Sequence, residues 1–312
     1  MPVRLGINPI TWTNDDMPEL GGDIPLDVCL AETRIAGYAG TELGGKFPRT
    51  AAQLAPILER HGLSLVSGWY SARLCQRSAD DEIAAVADHL QLLAAMRCGV
   101  MVFAEGHNST DGDPNLPLSA RPTLPDAQWP AFCERLNVVA RHMRGQGVRL
   151  AFHHHMGTVV QTEDEIDRLL AGTTDDVALL LDTGHLAFAG GDPVRVARRH
   201  ARRIAHVHCK DVRAGVLAEA IRRDRSFLAS VLEGVFTVPG DGSIDYEAVL
   251  RPLHDAGYDG WLVVEAEQDP AKAHPLTYAR LGFANLMTAA ERAGFAVADA
   301  PLKSADGRRS AR

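Results

Sequence analysis

The chain has 312 residues, 46% hydrophobic and 23% charged, with a formal net charge of −8. This balance fits a soluble globular enzyme with length for one large core, and the negative charge argues against nucleic acid as the main partner, since neutralising phosphates needs a basic surface. No apolar run reaches the roughly 18 residues of a membrane helix, and MPVRLGINPITW lacks the basic-then-apolar pattern of an export signal, so no membrane association and a cytoplasmic location are expected.

Along the chain, short apolar runs alternate with amphipathic stretches. A strand is expected over 3–10, and apolar residues three and four apart over 25–37, ending on Gly37, predict a helix. A strand over 40–44 follows, then a helix over 50–62 with Thr50 as N-cap and Gly62 as terminator. Strands are expected over 63–69, 98–105, 148–155, 177–184, 203–211 and 260–267, and helices over 80–99, 126–147 and 162–172. Two long connections interrupt the pattern, 106–125 and 212–243, the second with one short helix. The basic stretch RVARRHARR (195–203) reads as one solvated helix face, and 296–312 as a disordered tail.

Eight β/α alternations predict a single (β/α)8 TIM barrel over 1–295, close to the roughly 250 residues such barrels need. A doubly wound sheet would place a glycine-rich phosphate loop after the first strand, and GINPITWTNDD has no G-x-G-x-x-G. Five scattered cysteines without a C-x-x-C pair argue against a disulfide framework or a cysteine zinc site. Only four cations are lysine, and Lys46, Lys210 and Lys272 all follow strand-like runs, where a compact titratable ammonium serves chemistry best.

A barrel gathers the polar residues at the C-terminal ends of its strands around one mouth. Side-chain alternation places His153 and His155 on one face of the fifth strand and His154 on the other. The sixth strand ends in LLLDTGH, with Asp182 and His185; the seventh, HVHCKD, puts His206, His208 and Lys210 on one face; the eighth, VVEAEQD, does the same for Glu265 and Glu267; the second ends with Glu42 and Lys46. Imidazoles and carboxylates from four neighbouring strands form a mixed N/O set for one divalent ion. His206 sits deeper, where it can orient a ligand.

DTGH, HVHCKD and the glutamate of VVEAE resemble the sugar-phosphate isomerase/epimerase-like barrel superfamily. Within it, GINPITWTNDD, GWYSARL, HHHMGT, FTVPGDG and VVEAEQDPAKAHP resemble the inosose dehydratase family from about residue 3 to 293. The resemblance implies elimination of water from 2-keto-myo-inositol with Mn²⁺ or Co²⁺, and glutathione as a possible further cofactor. It places the superfamily's metal ligands on Asp182, His208 and Glu265, and its usual strand-5 glutamate on His153.

Dehydration of a β-hydroxy ketone needs a base for the α proton, a stabiliser for the enolate and an acid for the departing hydroxyl. Lys210, His185, Glu42 and Lys46 are the acid and base candidates, and a metal beside Lys210 is expected to depress its pKa. His155, Trp69, Arg73, Arg213 and Glu267 are the expected contacts to a polyol ketone, with Trp12 and Tyr70 as weaker aromatic candidates. An isomerase or epimerase acting on a keto sugar shares the metal and enediolate chemistry; a barrel that only binds a polyol is the non-enzymatic alternative. Exposed helices can support a homo-oligomer.

Overall fold

A computed structural model describes residues 2–298. Its strands are β1 (Pro2–Ile7), β2 (Gly40–Leu43), β3 (Ser64–Ala72), β4 (Val100–Glu105), β5 (Arg149–His153), β6 (Val177–Asp182), β7 (Ile204–Cys209), β8 (Asp211–Val212), β9 (Phe236–Thr237), β10 (Trp261–Val264) and β11 (Ala296–Val297). Parallel pairing runs β1 through β7 and on to β10, which pairs with β1 and closes an eight-stranded barrel. The single (β/α)8 architecture is therefore as expected. No described helix is long and apolar enough to cross a membrane.

Alternation along each strand decides what faces inward. Leu150 and Phe152 of β5 join the main hydrophobic cluster, as do Leu179 and Leu181 of β6 and Val207 and Cys209 of β7. Their neighbours Ala151, Leu180 and Val263 fill the interior as smaller clusters. Moving up that inner face, the same strands change to His153, Asp182 and His208. The parallel register sets Asp182 directly beside His208.

The five predicted helices form over Leu26–Ala36, Ala51–His61, Ala79–Ala95, Trp129–Gly145 and Glu163–Gly172. Gly37 and Gly62 end the first two with φ of 112° and 64°, which other residues adopt only with strain. Thr50 holds the N-cap position, but its hydroxyl bonds Gln53 rather than the main chain.

Several boundaries differ from expectation. β3 continues to Ala72, and β5 stops at His153, so His154 and His155 follow the strand. The 212–243 connection carries two helices, Ala214–Arg222 and Phe227–Leu232, and the β8–β9 ribbon, where one short helix was expected. Short loop helices carry little periodicity to read. Arg203 of the basic stretch is no solvated residue: its guanidinium donates to the carbonyls of Leu170, Thr174 and Val177. Ala296 and Val297, placed in the expected tail, pair with Pro2 and Val3; the rest of that tail, 299–312, lies outside the described residues.

Above the mouth lies a second hydrophobic cluster, which includes Met17, Met156, Phe188, Phe227, Leu228, Val231 and Phe236. It roofs the strand ends with loops from separate parts of the chain.

Candidate active site

Four side chains meet at the C-terminal end of the barrel: His153 from β5, Asp182 from β6, His208 from β7 and Glu265 just after β10. Each offers one ligand atom, and these atoms all lie within 4.8 Å of one another. His153 Nε2, Asp182 Oδ2, His208 Nδ1 and Glu265 Oε2 are all buried without a hydrogen-bond partner among the described residues. Buried polar atoms are rarely left so; with His208 Nδ1 and Glu265 Oε2 in direct contact and all four atoms facing one point, the set fits a cation.

Their other atoms are fixed. His153 Nδ1 donates to the carbonyl of His154 at 2.7 Å, which leaves the Nε2 lone pair toward the cluster. Asp182 Oδ1 accepts the His185 N–H at 2.7 Å and caps the helix Thr183–Phe188, freeing Oδ2. His208 Nε2 donates to Glu42 Oε1 at 3.2 Å, so Nδ1 is the ligating nitrogen. Burial disfavours charge on His208, but Glu265 and Glu42 outweigh it and raise its pKa well above the ordinary value. A carboxylate set of this kind draws positive charge.

Glu42 stands behind this layer. Its Oε1 accepts from Ser67 Oγ at 2.5 Å and His206 Nε2 at 2.8 Å, and its Oε2 from Asn8 Nδ2 at 2.7 Å. These donors and His208 surround Glu42, a setting that suits orienting the His208 ring more than exchanging protons with a substrate. His206 acts through it. Replacing Glu42 with Gln should weaken metal affinity about 10–100-fold, the usual cost of losing a carboxylate behind a ligating imidazole. Calorimetric titration with Mn²⁺ checks this, and unchanged affinity refutes the assignment.

Beside the cluster lies a proton-carrying set. Lys210 is fully buried, with Nζ 3.0 Å from His185 Nε2, 3.3 Å from Glu267 Oε2 and 3.5 Å from Glu265 Oε1. Gly184 of the DTGH motif makes room for it: a Cβ there would sit 2.5 Å from Lys210 Cγ. Burial disfavours the ammonium, yet Glu265, Glu267 and Asp182 together raise the Lys210 pKa. These carboxylates are protein groups alone; the depression expected for Lys210 is one that a bound cation would cause. Burial lifts Glu267 to about 8 against the pull of Lys210.

His155 stacks on His185 with ring centroids 3.7 Å apart, and its Nδ1 lies 2.8 Å from the Met156 carbonyl and 3.4 Å from Asp111 Oδ2. Burial lowers its pKa to about 4, with Asp111 opposing. Trp69, 40% exposed, covers the edge of the site against His153 and His155, at 5.3 and 5.5 Å. His154 turns away: its Nε2 accepts the Asp182 N–H at 3.2 Å, and burial lowers its pKa to about 3.

Three expected site residues are engaged by the main chain and a loop carboxylate, or are exposed. Lys46 donates to the carbonyls of Gly21, Gly22 and Ile24, and so pins a loop. Arg213 bonds the carbonyls of Gly234 and Phe236 and the Asp241 carboxylate, bracing the β8–β9 ribbon. Arg73 is exposed, its main-chain N–H held by Glu82 and its carbonyl by the N–H groups of Gln76 and Arg77. Lys272, the third lysine after a strand, bonds the Leu232 carbonyl. Trp12 and Tyr70 bond Glu32 and Glu82. Asp111 and Phe227, both against His155, were not foreseen. Their only signal was the length of the loops that carry them.

A closed β/α barrel with a buried N/O ligand set beside a lysine defines a metal-assisted enzyme acting on a small molecule. A model of the xylose isomerase-like TIM barrel matches residues 30–288. The chain is 53% identical over 300 residues to a rhizopine catabolism protein, MocC, of Rhizobium meliloti (96% of this chain, 92% of that one). It is 46% identical over 279 residues to an inosose dehydratase of Geobacillus thermodenitrificans (89% and 94%). Among solved structures, the IolI protein with a bound zinc atom superposes with a TM-score of 0.64 at 16% identity, covering 93% of this chain and 98% of that one. The chain belongs to the xylose isomerase-like TIM-barrel family and, within it, to the group that includes the inosose dehydratases.

Proposed function

We propose that the protein is a hydro-lyase that removes water from 2-keto-myo-inositol (scyllo-inosose) to give 3D-trihydroxycyclohexane-1,2-dione, with Mn²⁺ or Co²⁺ as its ion. One observation carries this reading: four orphaned ligand atoms converge beside the Lys210–His185 pair, in a chain 46% identical to an inosose dehydratase. Held by His153, Asp182, His208 and Glu265, a divalent ion supplies Lewis-acid polarisation of a ketone oxygen.

The chain's own groups account for the remaining needs. Lys210 Nζ and His185 Nε2, 3.0 Å apart, form the pair that takes the α proton and returns one to the departing hydroxyl. One C–H and one C–O bond break, a C=C bond forms, water leaves and the resulting enol ketonises to the dione. His155 and Glu267 bind ring hydroxyls. Trp69 offers an apolar surface to ring C–H groups, while Phe227 and Phe236, packed on His185, exclude water. A cytoplasmic location and self-association through exposed barrel helices accompany this reading.

The purified protein, given Mn²⁺ or Co²⁺, should form a conjugated, ultraviolet-absorbing product from 2-keto-myo-inositol and lose that activity to a chelator. Glutathione is tested as an additive in the same assay. Equal turnover of ordinary ketohexoses to epimers, with no dehydrated product, would establish the isomerase chemistry instead. The 53% identity to a rhizopine catabolism protein supports a second reading, in which the same elimination serves rhizopine breakdown.

A further inference from the structure

The two long connections leave the barrel from β4 and β7, three places apart in a ring of eight strands, yet they join above the mouth. Pro117 and Ser226 form an antiparallel bridge, and the Leu118 N–H donates to the Arg225 carbonyl at 2.8 Å. The Ser119 N–H donates to Asp224 Oδ1 at 2.9 Å, and Ser119 Oγ to Asp224 Oδ2 at 2.5 Å. Leu118 packs on the roof cluster that contains Phe227. Asp224 adopts φ +46°, a left-handed conformation that Asp, Asn and Gly tolerate and most residues do not.

What hangs from this clasp is the chemistry. On one side, Thr110 N–H bonds the Gly157 carbonyl at 3.0 Å, and Asp111 next to it reaches His155. Gly157 has no alternative there: a Cβ would sit 2.8 Å from the Asp111 nitrogen. On the other side, Ser226 caps the helix that opens with Phe227. The Phe227 ring lies 5.6 Å from His185 at an interplanar angle of 21°, and 5.4 Å from His155. His155 and His185 are almost wholly buried beneath this roof.

We infer that Asp224 is a positioning residue of the proposed dehydration: by clasping Ser119 across the mouth, it sets Asp111 and Phe227 against the His155–His185 pair and closes the roof over the substrate. The inference rests on the dehydratase reading. The clasp is exposed and touches neither ligand nor substrate, so its loss spares metal binding. It acts through alignment, where small misplacements cost up to about 100-fold in rate.

Three variants of the full chain separate the clasp from the backbone. Asp224→Gly keeps the left-handed turn and removes both acceptors; Asp224→Asn keeps the turn and an acceptor for the Ser119 N–H; Ser119→Ala removes the hydroxyl bond alone. The expected order of kcat/KM is Asn above Ala above Gly, with Gly down about tenfold through both kcat and KM while Mn²⁺ affinity is unchanged. A merely structural lesion would reduce the active fraction at constant KM. Amide hydrogen exchange needs no substrate, and should speed up in Asp224→Gly over 107–119 and 227–232. Normal rates with normal exchange in Asp224→Gly overturn the proposal, as does a loss in Asp224→Asn equal to that in Asp224→Gly. If the wild type dehydrates no inosose, the functional reading fails while exchange still decides whether the clasp holds the roof.

Discussion

Lys210→Met should lower kcat by about 10²–10⁴-fold, the range that a positioned acid–base group contributes, while the protein still binds Mn²⁺. Methionine fills the space beneath Gly184 and Phe236 and removes only the ammonium. The ligand atoms of His153, Asp182 and His208 take their orientation from the His154 carbonyl, the His185 N–H and Glu42, while Glu265 loses the Lys210 contact to its Oε1 and not to the ligating Oε2. Stability should fall less than the 3–5 kcal/mol typical of stranding a buried charge. Burial lifts Glu267 to about 8 even with Lys210 present to lower it, so near neutral pH it is already largely protonated, and losing Lys210 strands no ionised carboxylate there. Steady-state kinetics and a metal titration on the same preparation provide the check. A variant that keeps its rate would remove Lys210 from the proton path and leave His185 as the carrier.

The strand ends were legible because two signals coincide there. Period-two alternation says which residues face inward, and an inward residue at the C-terminal end of a barrel strand has nowhere to point but the mouth. His153, Asp182, His208, Lys210, Glu265 and Glu267 all follow from that rule. Residues further out on the loops do not. Lys46 and Arg213 have long side chains on loops, and their direction was decided by carbonyls at Gly21–Ile24 and Gly234–Phe236 that no local pattern announces. Glu42 obeys the inward rule, but it lies behind His208, in the stretch of β2 where the register against β3 shifts. Asp111 and Phe227 depend on two loops meeting more than a hundred residues apart in sequence, a tertiary fact with no short-range trace.

Alanine at each of the three adjacent histidines should give three different losses. His153→Ala should weaken Mn²⁺ binding by about 100-fold or more, since even contacts behind the ligands cost 10–100-fold, with activity partly restored by excess ion. His155→Ala should keep the metal and lose about 10²-fold in kcat/KM, because its ring meets His185 and Trp69 at the substrate side. His154→Ala removes the acceptor for the Asp182 N–H and should lower stability by about 1–3 kcal/mol with little direct effect on chemistry. His153→Glu tests why this chain departs from the strand-5 glutamate of the superfamily it resembles. A carboxylate there keeps a ligand but adds a negative charge beside Asp182 and Glu265, which weakens Lewis acidity toward a ketone; metal should stay bound and kcat should fall. Calorimetric titration separates the first two variants and denaturant unfolding the third. Full metal occupancy in His153→Ala together with its loss in His154→Ala would mean that the metal-binding face at the end of β5 begins one residue later.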